Sequence, residues 1–331
     1  MNKLRILPDT HDQRLSLAAL WLAMAAWPAL AANDYLLSIG STLLINIILV
    51  ASLDLLVGST GIVSLAHGAF FGIGAYTSGI LSTVAGCSPW LGTLAAVGAG
   101  IFAALLIGLP TLRLRGHAFA MATLGFNAIV TTVLTGWVSL TGGPNGLIGV
   151  PAYTLVSFPL DTPTRFYPIA WFASGLAMLA LFNLARSRQG RSLRALASSD
   201  IAAAGSGIPV FRYKLAAFAL ACALAALAGA LYVHQNNFAS PDTFSFSTSV
   251  LLLVMVWVGG AGRRFGPVFG ALVYTLLPEL LHRFDNVETL VVGIAMIVVV
   301  GFAPGGIAQS LSRSASRLRG NRKAPSRESM P

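Results

Sequence analysis

Charge is what this sequence has least of. Only 10% of its 331 residues are Asp, Glu, Lys or Arg, against roughly 25% in a soluble domain, so most of its surface is not built for water. Lysine is nearly absent: Lys3, Lys214 and Lys323 are the whole set, and none follows a glycine. A phosphate-cradling P-loop needs a Gly-Lys step, so ATP is not bound that way. The five histidines (His11, His67, His117, His234 and His282) are scattered. No His-Glu-x-x-His or Gly-x-Ser-x-Gly arrangement occurs, which removes the usual grounds for a hydrolase. Cys87 and Cys222 match no metal or disulfide spacing, and as lone thiols in apolar stretches they are expected to pack as small buried hydrophobes. The net charge of +10 lacks the aromatic-laced basic domain of a nucleic-acid binder. No cofactor or metal is called for.

What is present is apolar: 56% of residues are hydrophobic, and the mean hydropathy is +0.77. Length alone would suggest about two domains, but the apolar stretches are too frequent for two soluble cores. A helix needs about 20 mostly apolar residues to cross the hydrocarbon. Ten stretches qualify: 15–32, 36–57, 61–84, 90–110, 117–137, 166–185, 215–234, 248–262, 265–282 and 287–304. The eighth is short enough for a broken or re-entrant segment. The expected fold is an all-α polytopic membrane bundle of about ten transmembrane helices. Residues 1–14 form a cytoplasmic N-terminus, 15–305 the transmembrane domain with a cytoplasmic loop at 186–214, and 306–331 a basic, disordered cytoplasmic tail.

The basic residues orient this bundle. With both termini cytoplasmic, all but Arg165 and Arg283 of the 21 basic residues fall on the inner side, a bias that sets topology. The first span, ending Ala29-Leu30-Ala31, also imitates a signal peptide; an uncleaved first helix is the favoured reading. The tail after Pro304 is Ser-rich and basic, a solvated end or one drawn to the lipid surface.

Glycine clusters mark two places. One runs from Gly58 and Gly61 through Gly68, Gly72, Gly74 and Gly79, and the other from Gly259, Gly260 and Gly262 to Gly266 and Gly270. Small residues one turn apart let helices approach closely, and interrupted spans can also line a transport path. Polar side chains stand out against this background. An aspartate at mid-membrane costs roughly 2.5–3.5 kcal/mol, so Asp54 is conspicuous. Asn46, Ser64, His67 and Asn127 join it as candidates for a translocation path, each also readable as a structural hydrogen-bonder. Asp54 and Glu279 are too few acids for a proton- or sodium-driven carrier.

The longest inner loop, 186–214, carries Leu193, Leu196, Ala197, Ile201, Ala204 and Ile208 at helical spacing, predicting one apolar stripe with Arg191 and Arg194 facing elsewhere. Asp200 is placed to cap a second short helix, stopped by Gly205, Gly207 and Pro209. Such a helix lies on the membrane or docks in a partner's groove; the pattern allows both.

Three stretches together resemble the larger permease type of branched-chain amino-acid ABC importers. They are Leu53-Asp54-Leu55-Leu56-Val57-Gly58 through His67 to Tyr76, Gly190-Arg191-Ser192-Leu193-Arg194 through Gly207 to Leu215, and Gly259-Gly260-Ala261-Gly262 through Gly270 to Leu280. The outer loop Thr141-Gly142-Gly143-Pro144-Asn145 fits the same pattern. The resemblance implies a second permease subunit, two cytoplasmic ATP-binding subunits and a periplasmic solute-binding protein in a bacterial inner membrane. It implies coupling to the ATPase through Arg191, Arg194, Asp200, Ile201, Ala202, Ala203 and Gly207. It further implies binding-protein contact through Thr141, Gly142, Gly143 and Asn145. Asp54 stands where such permeases usually carry Asn, and Arg263-Arg264 is more basic than usual. Urea, short amides or other small solutes remain alternative cargo, and a passive channel is the rival from another class.

Overall fold

The computed structural model describes residues 21, 24–28, 33–114, 116–155, 158–263 and 265–281. The expected span 287–304, the N-terminus 1–14 and the tail 306–331 lie outside these, as do most of span 15–32, Arg264 and Arg283. Among the described residues the chain is mostly helical. Five helices are long and apolar enough to cross a membrane: α1 (Asp34–Thr60), α3 (Pro89–Thr111), α4 (His117–Gly136), α6 (Pro163–Arg186) and α9 (Val210–Asn236). Shorter helices complete the bundle: α2 (His67–Thr83), α5 (Val138–Thr141), α7 (Arg188–Ser198), α8 (Asp200–Gly205), α10 (Phe246–Gly259) and α11 (Gly266–Leu281).

Helix α1 is apolar all round and two-thirds buried, the signature of a central helix. Gly61, at φ 71°, ends it in a left-handed cap. The remaining helices meet through small residues. On α3 the buried face is Gly92, Ala96, Gly100, Ala104 and Gly108, a repeat of four that lays one bare stripe along α2 and α9. The α2–α9 crossing is closer still. A Cβ on Gly74 would sit 2.0 Å from Ala226 O, and one on Gly229 2.0 Å from Phe71 O. The second glycine cluster likewise closes the α10–α11 hairpin: a Cβ on Gly259 would lie 1.9 Å from Gly266 O, and one on Gly270 2.1 Å from Met255 O.

Two expected spans differ from the observed ones. Span 61–84 is not continuous, because residues 61–66 are non-helical and the helix starts at His67. Span 248–262 ends as a helix at Gly259, where Gly260 turns at φ 99°; its 14 residues rise only about 21 Å, short of the hydrocarbon. Cys222 is buried as expected, whereas Cys87 is half-buried in the turn between α2 and α3, since that apolar stretch ends before reaching it.

One end of the bundle is tied together by short strands. β1 (Leu147–Ile148) pairs antiparallel with β4 (Phe238–Ala239), Leu147 opposite Ala239. β2 (Thr154–Leu155) pairs with β3 (Phe158–Pro159). His234 latches this layer to the bundle: its Nδ1 lies 2.7 Å from Pro151 O and its Nε2 2.8 Å from Ser78 Oγ. A carbonyl only accepts, so Nδ1 carries the proton and Nε2 accepts from the serine. The Tyr153 ring lies 4.6 Å from the imidazole.

Candidate functional site

The break at 61–66 places unpaired peptide groups within a membrane bundle, where each must find a partner in the protein. Helix α4 supplies them. The Leu65 N–H donates to Thr123 Oγ1 at 3.1 Å, and Leu65 O accepts from Asn127 Nδ2, also at 3.1 Å. Asn127 Nδ2 reaches on to Ser249 Oγ at 2.7 Å, and the same hydroxyl oxygen accepts the Gly68 N–H at 2.8 Å. Ser64 folds the break on itself, accepting the Ala66 N–H at 3.3 Å. Thr123, Asn127 and Thr131 lie four residues apart on α4, giving that helix one polar edge aimed at the break.

His67, the first residue of α2, is fully buried, and neither ring nitrogen has a partner among the described residues. Buried imidazoles almost always have one. Packing alone gives no reason for a histidine at this place.

Thus three of the five expected path residues, Ser64, His67 and Asn127, gather at one break. Asn46 and Asp54 face the α10–α11 hairpin instead. Asn46 Nδ2 donates to Thr275 Oγ1 at 3.1 Å, and Asp54 Oδ1 accepts the Gly262 N–H at 2.7 Å. The second bond depends on Gly58, whose Cβ would lie 2.2 Å from Gly262 N. Glu279 is engaged at the other end of α11, where the Tyr35 hydroxyl is 2.9 Å from both its oxygens. Thr123 and Ser249, which complete the network, were not among the expected residues. Four-residue spacing of Thr123, Asn127 and Thr131 was the available signal for the first. Nothing local marks Ser249.

Beneath the break lies loop 186–214, which forms two short helices, the second of them where it was expected. Ser187 caps α7 by accepting the Gly190 N–H at 3.1 Å. Ser199 then adopts an extended backbone (φ −167°, ψ 120°) and caps α8 by accepting the Ala202 N–H at 3.3 Å. The expected cap, Asp200, is therefore displaced by one residue; it sits in the first turn of α8 and pairs with Lys214. The extended residue also breaks the helical phase, so the expected single stripe is split. Leu193, Leu196 and Ala203 are buried, while Ala197, Ala202 and Ala204 are exposed and Ile201 is 80% exposed. Gly207, at φ 78°, turns the chain toward α9. Arg194 Nη1 donates to Ala185 O at 2.6 Å and Arg191 Nη1 to Arg186 O at 3.4 Å, which satisfies carbonyls at the end of α6. The loop touches the break directly, since a Cβ on Gly61 would be 3.5 Å from Ala197 Cα.

The loop after α5 is shaped by the residues expected to make contact from it. Thr141 is buried, with its hydroxyl 2.7 Å from both Leu134 O and Trp137 O, and Gly143 N–H donates back to it at 3.2 Å. Gly142 and Gly143 take φ 79° and 60°. A Cβ on Gly142 would lie 2.0 Å from Gly146 O. Asn145 is the one of the four that is exposed.

A bundle of apolar helices with an interrupted span at its centre, and an amphipathic helix pair held under that interruption, has the build of a multi-pass membrane permease. The comparisons with known proteins agree. Residues 35–300 match the family described as branched-chain amino acid transport system / permease component, and the chain belongs to that family. It is 33% identical to the high-affinity branched-chain amino acid transport system permease protein LivM of Escherichia coli K12, covering 90% of this chain and 76% of the relative. It is 28% identical to the autoinducer 2 import system permease protein LsrC of Klebsiella pneumoniae, covering 88% of this chain and 80% of the relative. A probable branched-chain amino acid transport permease protein LivM of Methanocaldococcus jannaschii is 23% identical over 72% of this chain and 77% of its own. No solved structure matches.

Proposed function

We propose that this chain is a permease subunit of an ATP-driven importer in a bacterial inner membrane, carrying branched-chain amino acids or a related small solute. Two cytoplasmic ATP-binding subunits drive it, a second permease completes the path, and a periplasmic binding protein delivers the solute. ATP hydrolysis belongs to the partner chains, and the permease itself catalyses no reaction and uses no cofactor. The arrangement of ten spans with both termini cytoplasmic is part of this reading, supported by the inner-side excess of arginine.

The observation that carries the reading is Ile201. A large aliphatic side chain held 80% exposed on a capped helix, directly under a broken span, is suited to burial by another protein. Ala202 lies beside it on the same surface, while Ala203 and Gly207 hold the helix in place and Asp200 braces it through Lys214. Partner closure that pushes α8 and α7 reaches Gly61 through Ala197, and from there the network of Ser64, His67 and Asn127. On the outer side, Asn145 meets the binding protein on a loop shaped by Thr141, Gly142 and Gly143.

The test is a mild-detergent pull-down of the tagged chain with and without Ile201→Asp. Burying an isoleucine side chain is worth roughly 1.5–3 kcal/mol, so the substitution weakens retention of an ATP-binding subunit by about tenfold or more while the chain stays folded. A chain that purifies alone in several detergents, and transports solute without ATP, is a passive channel, and the proposal then fails. Since the relatives named for import carry different solutes, competition between leucine, urea and short amides in uptake assays identifies the cargo.

A further inference from the structure

The chain between β4 and α10 folds inward. Phe244, which ends the 3₁₀ turn Pro241–Phe244, is fully buried although it lies in a connecting segment. Its ring sits in an aromatic box. The ring centroids of Phe71 and Tyr76 on α2 and of Tyr232 on α9 are 5.0, 5.8 and 6.1 Å away, each edge-to-face, a spacing that favours aromatic pairs. Two glycines of α2 make the room. A Cβ on Gly72 would lie 2.8 Å from Phe244 Cβ, and one on Gly68 3.1 Å from Phe244 O. Leu134 of α4 reaches the same point, 3.4 Å from that Cβ on Gly72. Helix α10 rises about 21 Å in a hydrocarbon layer of roughly 30 Å. With Gly260 at the inner surface, as proposed, the turn before α10 lies about 9 Å below the outer one.

We infer that Phe244 is the gate of the translocation path on the side of the break away from loop 186–214, and that it leaves its box when that side opens. The inference rests on the transport reading and names the residue that seals its path. On one side the break is bounded by α7, through Ala197 against Gly61. On the other, α2 rises from His67, and Phe71, Gly72 and Tyr76 are its next turns. A solute that passes Ser64, His67 and Asn127 therefore meets Phe244 next. The turn is built to move as one piece, because it carries its own bonds. Thr243 N–H donates to Ser240 O and Ser245 N–H to Asp242 O, both at 3.2 Å, and Thr248 Oγ1 donates to Thr243 O at 2.7 Å. Glycine faces at 68 and 72 give it no side chain to catch on as it withdraws. Two hydrogen bonds tie the stretch to α2: the Tyr76 hydroxyl to Ala239 O at 3.1 Å, and Gly68 N–H to Ser249 Oγ at 2.8 Å. Ser249 is also held by Asn127, so the first turn of α10 links the gate to the break.

The experiment uses the full-length chain with the subunits it retains, in proteoliposomes. Phe244→Cys in a Cys87→Ser background is treated with a membrane-impermeant maleimide, at rest and with ATP turning over. An open state that is minor at rest, on the order of a few per cent, becomes a main one in the cycle. Labelling at position 244 is therefore expected to run about tenfold faster during turnover, while native Cys222, fully buried, stays unreactive in both conditions. A second measurement needs no thiol. Passive efflux of solute without ATP, per folded protein, should rise several-fold in Phe244→Ala and stay near wild type in Phe244→Leu, which keeps an apolar plug. A side chain that only packs would lower the melting temperature and leave passive efflux unchanged. Position 244 as slow as Cys222 during turnover, or the two thiols becoming reactive together, overturns the inference. So does passive efflux in Phe244→Ala equal to wild type. Wild-type protein that moves solute freely without ATP removes the transport reading itself, and the gate with it.

Discussion

Adding one methyl group at Gly74 tests whether the α2–α9 crossing sets the geometry of the broken span. In Gly74→Ala the new carbon would lie 2.0 Å from Ala226 O and 2.5 Å from Ala226 Cα, where ordinary contact begins at 3.4 Å. Both obstacles are backbone, so no rotamer change relieves the clash, and the two helices must separate by about 1.4 Å. A gap of about 0.5–1 Å already forfeits a quarter to a half of each dispersion contact it opens, and small-residue packing is the main attraction between helices in lipid. The cost is therefore at the upper end of roughly 1–3 kcal/mol. Gly98→Ala is the control. It adds the same methyl to a neighbouring helix at a position with nothing within 4 Å, and should stabilise by up to about 1 kcal/mol. Thermal unfolding in detergent, followed by a thiol-reactive dye on buried Cys222 in a Cys87→Ser background, reads both. Moving α2 also draws Gly68 N–H from Ser249, so Gly74→Ala should slow uptake beyond its loss of folded protein. Equal melting temperatures for the two variants would refute the reasoning.

Other substitutions separate structure from transport. Asp54→Asn keeps an acceptor for Gly262 N–H and should preserve folding, whereas Asp54→Ala loses that bond to an exposed amide, at a cost of roughly 0.5–1.5 kcal/mol; equal stability of the two would mean the bond contributes nothing. His67→Leu removes an unpartnered buried imidazole, so the melting temperature should rise while uptake falls; unchanged uptake would remove His67 from the path. Asn127→Leu deprives Leu65 O and Ser249 of a donor, and hydrogen exchange at residues 62–68 should accelerate, with protection equal to wild type counting against the network. Met24 O accepts from the Tyr167 hydroxyl at 2.6 Å and Trp21 O from Trp171 Nε1 at 3.2 Å. N-terminal sequencing of the membrane-inserted protein should accordingly find the first helix retained, and a start at residue 32 would contradict it.

Composition by itself determined the membrane class. With so few charges and so many apolar runs, only lipid can serve as the solvent for this chain, and the position of each arginine then gives the orientation expected of it. Periodicity determined most helices to within a few residues, because length and hydropathy are local properties. The three stretches that carry the family resemblance needed no tertiary information either. What periodicity does not carry is continuity. Residues 61–66 are as apolar as a helix, and they are released from helical bonding only because Thr123 and Asn127, some 60 residues away, satisfy the Leu65 peptide group. The apolar stripe in loop 186–214 failed for the related reason that one extended residue, Ser199, resets the helical phase. Which polar residues share a site was decided by tertiary structure alone: Ser249 enters the network through a helix crossing, while Asp54 leaves it because Gly58 admits Gly262 to its carboxylate. A sequence fixes what each segment must bury, but the partner of a buried polar group is a matter of which segment arrives beside it.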